Sequence, residues 1–330
     1  MERLGGFRGA CRRRRGGGSH LWLLSFLTIA LFCGYIASTS TAASASSAHA
    51  TSGPHAARSS RATVKKDPTL AAEVPAKYHG TLIVANSAFP PYDFVSSSNA
   101  FSGIDPALFK YMGEVLGVNF RFELVNFNTV VPGIQEGRYQ VSSPLGDFKS
   151  RQGAVHFVDY ADGVSSVLVS SHSSFRPKTV TALCGHGIGY EAGTAESQVI
   201  SGINKMCSKQ HKTAVAPHSF PNEPAEYAAL NSGRIDGVLA DAASNGYTAV
   251  HAGGDFVNLS VTGGSSLAGW GATFGIAIPK DSGTLGKALA GALRKLAADG
   301  LYGKVFTQWG AKDEELPARR MVVDGGTPGS

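Results

Sequence analysis

From residue 80 onward the chain alternates between short apolar runs and longer stretches with apolar residues at helical spacing. GTLIVANSAF carries Leu82 and Val84 in a run that predicts a strand. SGIDPALFKYMGEVLG follows, with Leu108, Met112, Val115 and Leu116 on one stripe, and predicts a helix. Asp105 is its expected N-cap, Pro106 takes its first position and Gly117 closes it. Phe120, Phe122 and Leu124 alternate in VNFRFELVNF, the period of a strand. NTVVPGIQEGRY reads as a short helical piece, and QVSSPLGD returns the chain to a strand and a loop. Strands and helices in this alternation predict an α/β arrangement with parallel strands and right-handed crossovers.

A second unit starts near residue 180. HGIGYEAG predicts a strand and a glycine turn, and TAESQVISGINKMC a helix. YAALNSGRIDGVLADAASNGYTA contains a helix, a tight turn, the strand IDGVLAD and the start of another helix. TFGIAIPKDS opens a new strand. GTLGKALAGALRKLAADG sets Leu285, Leu289, Leu293 and Leu296 or Leu301 at helical spacing, and LYGKVFTQWG adds a last short helix. The polar tail from Asp313 is expected to fray, with residues 317–330 disordered. Ligands of open parallel sheets bind outside the carboxyl ends of the strands. The loops at 86–94, 143–151, 190–195 and 240–243 are therefore the candidates, and two facing units bring them together.

The first 78 residues change this picture only at the edges. Arg12–Arg15 form a basic run, residues 21–37 (LWLLSFLTIALFCGYIA) are nearly all apolar, and small residues follow. That order describes a secretory signal, with an uncleaved membrane anchor as the other reading of residues 1–50. Residues 51–78, rich in Ser, Ala and Thr at their start, read as a linker. Both readings of the leader place the rest of the chain outside the cytoplasm. The formal charge of +6 divides unevenly: residues 1–66 hold ten Lys/Arg and one acid, and residues 67–330 twenty Lys/Arg and twenty-three acids. The folded part is thus slightly acidic and has no basic stripe, so a nucleic-acid partner is not expected. Cys184 and Cys207 are an even pair in an exported region, read either as a disulfide or as two separate buried thiols. Neither has the His or acid spacing of a metal site, and no cofactor is expected.

Seven segments, in order, carry a resemblance: LIVANSAFPPYDF, FSGIDPALFKYMGEVLGVNFRFE, VVPGIQEGRY, SRQGAVHFVDY, GYEAGT, ALNSGRIDGVLAD and GIAIPKDSGTLGKALAGALRKLAADGLYGKVFTQWG. Together they resemble the bacterial extracellular solute-binding proteins of family 3, the polar amino-acid receptors of ABC importers. The resemblance implies a two-lobed periplasmic-binding-protein-like fold, with parallel-dominated sheets and a hinge between the lobes. One lobe is then expected from residues 79–171 and 272–316, and the other from 172–271. It further implies a monomer that takes up a small zwitterionic solute, an amino acid or a derivative, outside the cytoplasm and delivers it to a membrane ABC permease without chemistry.

The same resemblance assigns roles. Arg151 is expected to hold the solute carboxylate through paired hydrogen bonds. Asp241, at the end of GVLAD, is expected to offset an ammonium, and also to cap the helix that follows. Thr194 and its free backbone N–H groups at a helix start form the expected carboxylate grip from the second lobe. Phe89 and Phe127 are expected to line the cleft, and Ser143 and Gly146 to offer hydroxyl or backbone contacts. Three positions depart from the family pattern. Phe148 stands where a Thr is usual, Gln140 replaces an acid, and Asp147 adds a charge expected near the cleft that favours basic or amide-bearing solutes. Two rival readings share the scaffold: a solute sensor for a membrane partner, and a cyclohexadienyl dehydratase. The latter needs a general acid. Glu191 and Glu196 are the nearest acids, neither in a catalytic pattern, and Glu191 reads as a solvated strand-end residue.

Overall fold

A computed structural model describes residues 64–327. The leader and its apolar run lie outside the described residues. Among the described residues, no helix is long and apolar enough to cross a membrane.

Two five-stranded sheets organise the chain. The first contains β1 (Thr81–Asn86), β4 (Asn119–Leu124), β5 (Val141–Gly146), β6 (His156–Asp162) and β12 (Thr273–Ile278), in the order β4-β1-β5-β12-β6. The second contains β7 (Ser165–Ser170), β8 (Gly187–Glu191), β9 (Ala216–Phe220), β10 (Gly237–Asp241) and β11 (Phe256–Leu259), in the order β11-β7-β10-β8-β9. Each sheet pairs two neighbours in parallel and two antiparallel. The parallel half follows from strand–helix alternation. The antiparallel half comes from β7 and β12, each of which follows a crossing between the sheets and runs against both of its neighbours. The first crossing occurs at Gly163 and Val164, not near residue 171: β7 already belongs to the second sheet. GVSSVLVS carries no break that would have marked the change.

The first lobe packs α1 (Pro68–Ala72), α2 (Ile104–Leu116), α8 (Leu285–Ala298) and α9 (Leu301–Gln308) around one large core, with a smaller core under α3 (Val130–Gln135). The leucine stripe of α8 (Leu285, Leu289, Leu293 and Leu296) is fully buried. Each such side chain contributes about 1.5–3 kcal/mol of transfer free energy. Helix α2 begins two residues earlier than expected. Gly103 stands at its N-cap with φ 130°, and a β-carbon there would collide with the Tyr92 carbonyl. Asp105 is not the cap; it is buried in the first turn and accepts a hydrogen bond from the Tyr160 hydroxyl at 2.7 Å. Between α2 and β1, the hairpin β2 (Phe94–Val95) and β3 (Phe101–Ser102) closes the loop that carries Tyr92. Tyr92 is core: it is fully buried, with its hydroxyl on Glu314.

Two terminal expectations are corrected. Residues 64–78 are not linker. Asp67 caps α1 by accepting from the N–H groups of Thr69 and Leu70, and Val74 and Tyr78 enter the main core. The segment after Leu316 is ordered through Thr327. Met321 is fully buried, Arg294 donates to its carbonyl at 2.7 Å, and the Asp324 carboxylate accepts from the Phe157 N–H at 2.9 Å. Polar composition concealed one buried methionine and a set of paired charges, among them Arg320 on Asp162 and His156 on Asp324.

The second lobe packs α5 (Glu196–Lys209) on one face of its sheet and α6 (Glu223–Asn231) with α7 (Ala242–His251) on the other. Cys184 and Cys207 are joined in a disulfide that ties the chain before β8 to the last turn of α5.

Candidate functional site

A cavity opens between the lobes at the ends of β1, β5, β8 and β10. Each wall follows from how an element ends. Helix α4 (Lys149–Gln152) is a single turn after β5, and it carries Arg151 to the cavity. Strand β10 ends at Asp241, which caps α7 by accepting from the N–H groups of Ala243 (2.9 Å) and Ser244 (3.4 Å). Strand β8 ends at Glu191, and the turn Gly193–Thr194 leads into α5, whose first residue is Glu196.

Of the seven residues expected at the site, six line this cavity: Phe89, Phe127, Gly146, Arg151, Thr194 and Asp241. Ser143 does not. It is buried behind the wall, and its hydroxyl donates to Tyr160 at 3.0 Å in a chain that ends on Asp105. Its strand runs to the cleft, but its side chain points to the first-lobe core.

Arg151 is held by backbone and rings. Nη1 donates to the Gly146 carbonyl (3.1 Å) and Nη2 to the Gly193 carbonyl of the other lobe (3.0 Å). Its guanidinium carbon lies 5.6 Å from the Phe127 ring centroid and 5.3 Å from that of Phe148. Phe148 therefore supports the cation where a hydroxyl was expected. Burial pulls the Arg151 pKa down, and the field of Glu196 opposes this. Gly193 must be glycine: its φ is +85°, and a β-carbon would meet Asn128 of the first lobe. That is how the two backbones approach closely enough for the Arg151–Gly193 bond. The Thr194 hydroxyl turns inward and donates to the Glu191 carbonyl at 2.7 Å.

Phe89 packs edge-on against Phe274 (5.9 Å) and stacks on Tyr92 (5.7 Å), which makes a ring wall of the loop after β1. Phe274 itself lines the cavity, opposite Gly146 in the β5–β12 register.

Two departures from the family pattern stay away from the cavity. Asp147 is fully buried, and its carboxylate accepts from Gln152 Nε2 and the Gly326 N–H, both at 2.8 Å. Gln140 accepts from the Ile83 N–H at 2.9 Å, a repair of the sheet between β1 and β5. Neither places charge on a solute. The acids that do line the cavity are Glu191, Glu196 and Asp241. Glu191 is not solvated as expected; burial and the field of Glu196 push its carboxyl up to about 7. Burial also raises Glu196, against hydrogen bonds that lower it, and brings Asp241 up to about 7. Their only signal in the sequence was position, on either side of the EAGTAE turn. Among the described residues, no group of three or more His, Cys, Asp or Glu is placed to hold a metal ion.

The profile of the bacterial extracellular solute-binding proteins, family 3, matches residues 82–312. An arginine-binding protein of Corynebacterium glutamicum, ArgT, is 27% identical over 232 residues, covering 69% of this chain and 73% of the relative. ABC transporter arginine-binding protein 1 of Escherichia coli K12 is 26% identical over 226 residues, covering 68% of this chain and 88% of the relative. A solved structure of an ancestral arginine-binding protein bound to glutamine aligns with a TM-score of 0.59 at 24% identity, covering 71% of this chain and 99% of that one. The last likeness shows the fold alone.

Proposed function

The chain belongs to the bacterial extracellular solute-binding proteins of family 3, and on that premise we propose that it binds an α-amino acid outside the cytoplasm and hands it to a membrane ABC permease. The observation that carries this reading is one cavity with a guanidinium from one lobe and a carboxylate from the other, Arg151 and Asp241. The solute carboxylate pairs with Arg151 in place of a backbone carbonyl. Its ammonium pairs with Asp241, whose helix-capping bonds use Oδ1. Phe89 and Phe274 pack on the carbon chain.

No bond is made or broken in this function. Binding energy shifts the lobes toward the closed arrangement, because only there do both charged groups reach the solute. The crossings at Gly163–Val164 and before β12 are the segments that bend. The names of the relatives place arginine first among the amino acids to try. We assign residues 21–37 the role of export signal or anchor; fractionation of cells expressing the full chain separates a released protein from a membrane-held one.

The deciding measurement is calorimetric titration of the purified protein with a panel of amino acids. Arg151→Ala is expected to weaken binding of the best ligand by about ten- to a hundredfold, the value of a charge-assisted pair. Equal affinity in wild type and variant sinks the assignment.

A further inference from the structure

We infer that Phe94, Tyr247 and Trp309 form a latch between the lobes, outside the cleft, that holds the closed arrangement and so sets the affinity for every solute without choosing among them. The inference rests on the lobe closure described above and adds the residues that govern it.

The lobes are closed in this structure. Arg151 of the first lobe donates to the Gly193 carbonyl of the second at 3.0 Å, and a β-carbon on Gly193 would meet the Asn128 side chain. That contact belongs to the cleft, which Arg151 lines. A further contact between the lobes does not. The Phe94 ring, on the first-lobe hairpin, lies 5.5 Å from the Tyr247 ring of α7 in the second lobe, tilted by 43°. Phe94, Tyr247 and Trp309 are not among the residues that line the cavity.

Each ring is held from its own lobe. Phe94 follows the fully buried Tyr92 by two residues and pairs with Ser102 in the hairpin. It also meets the Trp309 ring, at the end of α9, edge-on at 5.5 Å and 84°. Tyr247 stands one helical turn after Ala243, on the same face of α7. Ala243 packs against the main core of the first lobe. His251, a further turn on, stacks on the Tyr247 ring at 3.9 Å and donates from Nδ1 to the Tyr247 carbonyl at 2.7 Å. One face of α7 therefore rests on the first lobe, and the same helix begins beside the cleft at Asp241. Rotation of a lobe about the crossings carries Tyr247 along with α7 and leaves Phe94 behind, so this packing belongs to the closed arrangement alone. The rings do not touch the cavity, so they act on the fraction of molecules that are closed, and apparent affinity scales with that fraction. An aromatic pair moves such an equilibrium by about two- to tenfold.

The test uses Phe94→Ala, Tyr247→Ala and the double variant. Each is titrated calorimetrically with L-arginine and L-glutamine, and the ligand-free forms are measured by small-angle X-ray scattering, whose radius of gyration reads lobe opening. Where the ligand-free wild type is largely open, each single substitution is expected to weaken both ligands by one common factor, about two- to tenfold. Where it is largely closed, the substitution is expected to enlarge the ligand-free radius. The double variant is expected to lose little more than Phe94→Ala, because the contact is already gone. Should Phe94→Ala not fold, Phe94→Leu replaces it and keeps apolar bulk against Trp309. Unchanged affinity together with an unchanged radius overturns the inference, as do additive losses in the double variant or unequal factors for the two ligands. Those outcomes leave the amino-acid reading intact. A common loss in the latch variants, with undiminished binding in Arg151→Ala, supports the latch and removes the carboxylate assignment. A wild type that binds neither amino acid removes the amino-acid reading, and scattering then decides the latch alone: a larger radius in Tyr247→Ala supports it, and an unchanged one overturns it.

Discussion

Arg151 lies against two rings and spans two lobes through one planar group. A lysine keeps the charge at that position but has no fork to divide between Gly146 and Gly193, and no flat face for Phe127 and Phe148. The acids facing it give the site a pH dependence with a definite sign. Burial lifts Glu191 and Asp241 up to about 7, with Glu196 facing both and Glu314 beside Asp241. A cationic solute favours their ionised forms. Affinity for such a solute is therefore expected to rise from pH 5.5 to 8.5 and level off above the two values. Protons are released on binding, which titrations in buffers of different ionisation heat detect. At this scale, what motif and strand end dictate together was legible: Arg151, Thr194 and Asp241 each follow a strand or end one. It hid what depends on side-chain direction. Ser143 and Asp147 sit beside the cleft in sequence and turn away from it in space. Phe274 and Glu191 enter it from strands whose facing partners no local pattern names.

The segment 312–327 behaves as an element although it has almost no regular structure. It brings Glu314 to Tyr92, Met321 into the main core, and the N–H groups of Gly326 and Thr327 onto Asp147. Met321→Ala is expected to cost about 2–4 kcal/mol in urea unfolding, the usual cost of truncating a fully buried side chain. The disulfide acts on another element. Joining residues 23 apart, it removes about 3 kcal/mol of loop entropy from the unfolded chain, and Cys184→Ser/Cys207→Ser is expected to lower stability by about that amount. Helices α2, α5 and α8 were legible because apolar residues recur at helical spacing along each. The antiparallel partners were not, because β7 and β12 owe their direction to the crossings and not to their own residues.

Across the whole molecule, acids are buried in both lobes. Burial lifts Glu223 up to about 8, Asp159 up to about 8, Glu314 up to about 9 and Glu226 up to about 10. All four keep protons in the folded state at pH values where the unfolded chain has lost them. Stability of the ligand-free protein is therefore expected to fall as pH rises from about 5 toward 9, because the folded state binds more protons throughout that window. Thermal unfolding across the range checks the slope, and Glu226→Gln is expected to flatten its alkaline end. Solute binding and folding thus respond to pH with opposite signs. Two lobes, two cores and a cleft were readable from the order of strand and helix patterns, since each pattern needs its own apolar face. The acidity of the interior was not, because an acid in a helix, as Glu223 and Glu226 are, looks the same whether it faces water or the protein interior.

The closing strap also bears on how the protein is handled as a reagent. Its last described residues clasp Asp147, four positions before Arg151 in the chain, so a dye, purification handle or reporter domain joined to the C-terminus pulls directly on the anchor of the cleft. A biosensor built on this scaffold is better labelled on the second lobe, for example at the exposed Val250 of α7, where an attached group does not load the strap.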